Sequence, residues 1–329
     1  MFSTRYIPLG VGLLALVVLP HLVPVYQVEV LIVLLLNLIL AQSYRLANTT
    51  GDWSLSHIVL MGVGAYAAAL LARTFGIPFL LNIVLASMIA AAVGLLLVLP
   101  LLRTSGFGFF IGSFALGEFI RLGWIKFQNP FGGSRGLVGI PQASIGPWDL
   151  FGLIEYYYVV LAFVVVSMWI LWRIDRSALG DAFKAIYMDR LLCESVGIRV
   201  PRYRALAFSV AAFFAGTAGA LMAHHQGAID PHNFSATLMV YLIIFVVVGG
   251  VKTFWGPVLG VIVMTAVFEL TRPWEAWRPL VAGVVLIIFL VLLPGGLELM
   301  LAPARRICQR IPGIRGLARP GVERTGADA

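Results

Sequence analysis

Eleven charged residues lie between Arg173 and Arg204, and long apolar stretches precede and follow them. They are Arg173, Asp175, Arg176, Asp181, Lys184, Asp189, Arg190, Glu194, Arg199, Arg202 and Arg204. Any one of them at the centre of a bilayer costs about 2.5 to 3.5 kcal/mol even on the lenient insertion scale. The stretch therefore lies in water, and the chain is organised as two apolar halves about a wet centre.

Within that stretch the spacing predicts a short amphipathic helix. Ser177 can act as an N-cap, and Asp181 in the first turn suits the positive end of the helix dipole. Ala182, Ala185, Ile186, Cys193 and Val196 recur at roughly helical intervals and form an apolar stripe. Lys184, Tyr187, Arg190 and Glu194 fall largely outside it. Gly197 follows the last periodic residue as a C-terminal cap, and Pro201 comes where the helix is already over. Such a helix, clamped between two membrane spans, is a surface that another protein can push on. The competing reading is a solvated loop with an incidental helical turn.

The rest of the composition is that of a polytopic membrane protein. Of 329 residues, 60% are hydrophobic and 12% charged, and the mean hydropathy is +0.97. A soluble domain carries about 45 to 50% apolar and about 25% charged residues. The net charge of +8 does not indicate nucleic acid. The basic residues gather in the central stretch and between Arg305 and Arg324, as expected where Lys and Arg stay cytoplasmic. Cys193 and Cys308 read as free thiols on the reducing side.

Spans of about 20 apolar residues are expected at Ile7 to Val25, Val28 to Tyr44, Leu55 to Leu71, Phe79 to Leu101, Gly106 to Phe127 and Tyr156 to Trp172. Four more are expected at Ala205 to His224, Ser235 to Val251, Gly256 to Leu270 and Leu280 to Leu293. The first shows no cleavage pattern and reads as an uncleaved span. The expected fold class is thus all-α, a bundle of about ten spans with cytoplasmic N- and C-termini. It divides into a first membrane half (1–172), a cytoplasmic loop (173–204), a second half (205–294) and a basic tail (295–329). The spans at Leu55 to Leu71 and Gly256 to Leu270 are short enough to be re-entrant. The loop Asn129 to Glu155 and the segment His224 to Phe234 fall outside. Small residues such as Gly62, Gly64, Gly216, Ala220, Gly256 and Gly260 mark close helix packing.

Chemical motifs are sparse. A P-loop needs a Gly-Lys pair, and the sequence contains none, so nucleotide hydrolysis of that kind is excluded. His224, His225, Asp230 and His232 match no compact zinc spacing, and neither a metal nor another cofactor is expected. Glu118 with Arg121, and Glu269 with Arg272, stand three apart on expected helices and can form ion pairs. They are candidates for translocation or for packing.

The residues Arg176-Ser-Ala-Leu-Gly180, Lys184-Ala185-Ile186 and Cys193-Glu194-Ser-Val-Gly197-Ile198 resemble the cytoplasmic coupling loop of ABC-importer permeases of the branched-chain amino-acid, LivM type. Gly51-Asp-Trp-Ser54, Gly132-Gly-Ser-Arg-Gly136, Ala215-Gly-Thr-Ala-Gly219-Ala220 and Trp255-Gly-Pro-Val-Leu-Gly260 extend the resemblance along most of the chain. The resemblance implies an inner-membrane, multi-pass permease subunit without an ATPase site of its own. Its implied partners are a second, homologous permease, two cytoplasmic ATP-binding subunits, a periplasmic solute-binding protein and membrane lipid. Arg176, Gly180, Lys184, Ala185, Arg190, Glu194 and Gly197 would form the ATPase-coupling loop. The implied cargo is a branched-chain amino acid, with urea, amides or small aromatic acids as alternatives. Arg190 stands where the family carries an acidic run, reversing a charge on the expected docking face. An ion-coupled secondary transporter, with Glu118 as the coupling charge, is the rival of a different class.

Overall fold

The computed structural model describes residues 16–104, 106–145, 148–149, 152–292 and 296–297. Helix α1 covers 16–22 as described, and it is followed by α2 (Val25–Asn48), α3 (His57–Phe75), α4 (Phe79–Leu101) and α5 (Phe107–Lys126). A connecting region holds the short α6 (Gln128–Phe131) and the two-residue strands β1 (Leu137–Val138), β2 (Ser144–Ile145) and β3 (Trp148–Asp149). Then come α7 (Leu153–Asp175), α8 (Ala178–Met188), α9 (Arg190–Ser195) and α10 (Val200–Gln226). The chain continues through β4 (Ala228–Ile229), α11 (Ala236–Gly249), α12 (Gly256–Leu270) and α13 (Arg278–Leu292).

Local chemistry sets these boundaries. Pro24 and Pro78 stand immediately before α2 and α4, where a missing N–H removes no intrahelical bond. Gly76 and Gly227 end α3 and α10 in the left-handed conformation, at φ 59° and 66°. Between such signals, six helices of 19 to 27 residues among the described residues are long and apolar enough to cross a membrane. At about 1.5 Å per residue they match a hydrocarbon layer of about 30 Å.

The charged stretch separates two halves in sequence but not in space. Helix α10 lies among α2, α3 and α4 and packs against all three. Its buried face is built from Ala207, Ala211, Ala212, Ala215, Gly216, Ala218, Gly219 and Ala220. Gly64 and Gly216 bring backbone against backbone, and Gly219 lies against the Met61 carbonyl. The Ser87 and Thr217 hydroxyls hydrogen-bond across α4 and α10 at 2.8 Å. In lipid, where burial of apolar surface supplies little drive between helices, such close packing and interhelical bonding hold the bundle together.

Several expectations shift. The first half of the span expected from Ile7 lies outside the described residues, as does most of the basic tail. The helix expected from Ala205 begins at Val200, which places Arg204 inside α10. Helices α11 and α12 have 14 and 15 residues, about 21 to 23 Å, so the span expected at Ser235 to Val251 is a short helix like its neighbour. Gly249, Gly256 and Gly260 bring these two helices into backbone contact. The two loops placed outside are joined, since β1 and β4 pair antiparallel with Leu137 opposite Ile229.

A side chain at Gly219 has no room, because its Cβ would overlap the α3 backbone. Gly219→Leu should lower the unfolding midpoint in detergent by the equivalent of about 1 to 3 kcal/mol. Gly123→Leu, which enters open space, should leave it unchanged.

Candidate functional site

The charged stretch folds as two helices, not one. Ser177 is the N-cap of α8, its Oγ accepting from the Gly180 N–H at 3.5 Å. The helix stops at Met188 because Asp189 is extended, at φ −155° and ψ 109°. Asp189 then caps α9, its Oδ1 accepting from the Leu192 N–H at 3.0 Å. A short polar side chain that bonds to nearby backbone readily ends one helix and starts another. Gly197, at φ 88°, follows the end of α9.

Because of the break, the expected apolar stripe divides. Ile186, Cys193 and Val200 form a small core of their own, with Ala185, Ile198 and Tyr203 packed against it. Phe183, absent from the expected stripe, is also buried, with its ring 6.3 Å from that of Tyr203. Val196 turns outward at 70% exposure, and so do Tyr187, Met188, Leu191 and Leu192. Met188 and Leu191 reach 84% and 79%. The surface of this pair of helices thus carries these five exposed apolar side chains.

Two carboxylates, Asp52 buried and Asp175 partly so, fasten α8 and α9 to the bundle. Asp175, at the end of α7, accepts from Arg45 Nη2 at 3.1 Å and lies 3.5 Å from Lys184 Nζ. Arg45 is buried in α2 and also donates from Nε to the Val251 carbonyl, 3.0 Å away in the turn between α11 and α12. Lys184 Nζ donates to the Asp175 carbonyl oxygen at 2.7 Å. Asp52, in the α2–α3 turn, receives two arginines: Arg190 Nη2 at 2.7 Å and Arg204 Nε at 2.5 Å. Arg204 fills its fork by donating to the carbonyls of Leu102 and Thr104 at 3.0 and 2.9 Å. Planar guanidinium is suited to this, with donors set in a rigid fan. Arg190 thus directs its guanidinium to Asp52 while 27% of its side chain remains exposed.

The remaining predicted residues are placed as follows. Gly180 lies against the Ile174 and Asp175 carbonyls, where a Cβ would collide, so it permits α8 to fold back on the end of α7. The Arg176 guanidinium stacks over Trp172 at 4.5 Å. Glu194 is exposed and, with Gly197, Arg199 and Arg202, lines an open groove at the start of α10. Glu118 and Arg121 form the expected ion pair on α5. Glu269 and Arg272 lie 3.9 Å apart at the far end of α12, where Tyr26 donates its hydroxyl to Glu269 at 2.7 Å. The histidines do not converge. His224 meets the Pro141 carbonyl and His225 meets Glu29, and among the described residues no three possible metal ligands come together.

Arg45, Asp52 and Arg204 were missed as site residues. The signal was their type: an Arg or Asp at the end of an apolar run must find a partner if it is buried.

The family described as "Branched-chain amino acid transport system / permease component" matches residues 26–293. The chain belongs to this family. Two relatives, the high-affinity branched-chain amino acid transport system permease proteins LivM of Salmonella typhimurium and Escherichia coli, are each 30% identical over 74% of this chain. The chain spans 63% of the length of either relative. The autoinducer 2 import system permease protein LsrC of Klebsiella pneumoniae is 28% identical over 55% of this chain and 53% of its own length. No solved structure matches the chain. The family match runs across α2 to α13 and so includes every residue of the two carboxylate clusters.

Removing one partner from a buried ion pair costs about 3 to 5 kcal/mol, against about 1 kcal/mol or less for an exposed pair. Arg204→Ala should therefore lower stability in detergent well below that of Arg190→Ala, whose partly exposed guanidinium loses less. Limited proteolysis within 173–204 should accelerate in both, because both release Asp52. Equal thermal midpoints for the two variants would contradict the assignment of Arg204 as the main anchor.

Proposed function

We propose that this chain is the membrane-crossing permease subunit of an ATP-driven importer in a bacterial inner membrane, with small hydrophobic amino acids as cargo and branched-chain ones first among them. The observation that carries the reading is the exposed apolar run on α8 and α9, mounted on a segment that Asp175 and Asp52 tie to the bundle. An apolar patch in water marks a protein contact, and a patch fixed rigidly to the transmembrane helices can pass force to them. Arg176, Gly180, Lys184, Ala185, Arg190, Glu194 and Gly197 belong to this coupling segment. Gly180, Lys184 and Arg190 shape it and hold it. Tyr187, Met188, Leu191, Leu192 and Val196 supply the apolar contact, and Glu194 supplies charge beside it.

In this reading the segment faces the cytoplasm, and the chain enters and leaves the membrane on that side after about ten crossings. Two ATP-binding subunits, a second homologous permease and a periplasmic solute-binding protein complete the transporter, with the nucleotide bound by the ATPase subunits. Closure of the ATPases moves α8 and α9, and the buried ion pairs carry that movement into α2, α7 and α10 as a rigid-body change. The LivM relatives cover more of this chain than LsrC does, which favours amino acids over the solute named for LsrC.

Met188→Asp and Leu191→Asp place charge in the contact without touching the anchors. Each should abolish co-purification of the ATP-binding subunits in mild detergent and reduce ATP-driven uptake of L-leucine at least tenfold, with unchanged abundance in the membrane. Retention of the ATPase subunits by both variants would reject the docking face.

A further inference from the structure

The ion pair of Glu118 and Arg121 lies midway along α5, about 16 Å from the helix start at 1.5 Å per residue. Charge at that depth is rare unless it serves a pathway. Glu118 forms one wall of a small, partly open cavity of about 10 Å³, room for a single water. Its other walls include Ile58, Val59, Phe114, Phe234 and Ser235.

Phe234 separates this cavity from an aromatic stack that extends toward the β1–β4 end of the bundle. Its ring lies 5.9 Å from that of Trp124, edge to face. Trp124 stacks on Tyr66 at 4.6 Å, and Tyr66 meets Phe131 at 5.9 Å. Gly62 provides the space for this packing, since a Cβ there would fall 2.6 Å from Trp124 and 2.8 Å from Phe234. On α5 only Phe109, Ser113, Gly117 and Trp124 are buried. The helix that carries the charges is therefore held against α3 and α4 by few buried side chains.

We propose that the cavity beside Glu118 is the mid-membrane binding site for a zwitterionic solute with an apolar side chain, narrowed here by Phe234. The proposal rests on the importer reading and names the chemistry of its cargo. The charge arithmetic carries it. An ammonium can replace the Arg121 guanidinium at Glu118 while the carboxylate of the same molecule takes Arg121. The exchange leaves net charge at zero, and no charge is stranded away from water. A simple anion or cation cannot do this, and an uncharged solute gains nothing from breaking the pair. The walls Ile58, Val59 and Phe114 then meet the apolar side chain. With room for one water, the site admits a solute only after Phe234 swings aside and α5 shifts.

The test uses the full chain, with the subunits that co-purify with it, in proteoliposomes. Ser235→Cys is placed in a Cys193→Ser, Cys308→Ser background and treated with a membrane-impermeant methanethiosulfonate without ATP. Labelling should be slow, and at least tenfold faster when Phe234→Ala is added, with Phe234→Leu between the two. In the opened protein, L-leucine should slow labelling, whereas 4-methylpentanoate and 3-methylbutylamine, which each lack one of its charges, should not. Glu118→Gln should raise the leucine concentration needed for protection at least tenfold and leave the unprotected rate unchanged. Labelling indifferent to both Phe234 variants, or equal protection by all three compounds, would overturn the proposal. None of these readouts requires ATP or a docked ATPase, so loss of coupling in the Met188 variant would leave them intact.

Discussion

Buried between Arg190 and Arg204, the Asp52 carboxylate is the interaction on which the charged end of the molecule depends. It belongs to the turn between α2 and α3, yet its partners come from α9 and α10, and Arg204 reaches on to the carbonyls that end α4. One carboxylate therefore ties together four pieces of chain that are distant in sequence. Asp175 does the same for α7, α8, α2 and the α11–α12 turn, through Lys184 and Arg45.

The consequence is an uneven distribution of rigidity. At one end, α8 and α9 are held by ion pairs and by the Ile186–Cys193–Val200 core, so they move only with the bundle. Helix α10 is locked by backbone contacts at Gly216 and Gly219, which leave no slack between it and α3 or α4. Helix α5 is different, with few buried side chains and large exposed ones such as Phe107 and Phe119. A stiff handle and centre beside one loosely packed helix suit a device in which force applied at one end changes access in the middle.

The two ion-pair systems also illustrate how position decides the role of a charge. Arg190 reads on a helical plot as a surface residue with an unusual sign, but the break at Asp189 rotates α9 and sends its guanidinium to Asp52. Glu118 and Arg121 satisfy one another within a single helix and need nothing from their neighbours. The first arrangement is structural because its partners belong to different elements. The second is contained within one helix.

Much of the architecture was legible in the order of residues. Hydropathy placed the helices Phe79–Leu101 and Gly256–Leu270 to the residue, because each is one continuous apolar run. Ser177 and Gly197 marked the ends of the wet segment through backbone chemistry confined to one turn, and the i,i+3 pairs at Glu118 and Glu269 followed from helix geometry alone. What the sequence could not disclose was whatever joins residues more than a turn apart. That α10 sits at the centre of helices from the first half, that Asp52 serves two arginines, and that Phe234 covers the space beside Glu118 were decided by tertiary packing. Periodicity is a property of one helix, whereas the partner of a buried charge or the neighbour of a glycine is fixed only when several helices meet.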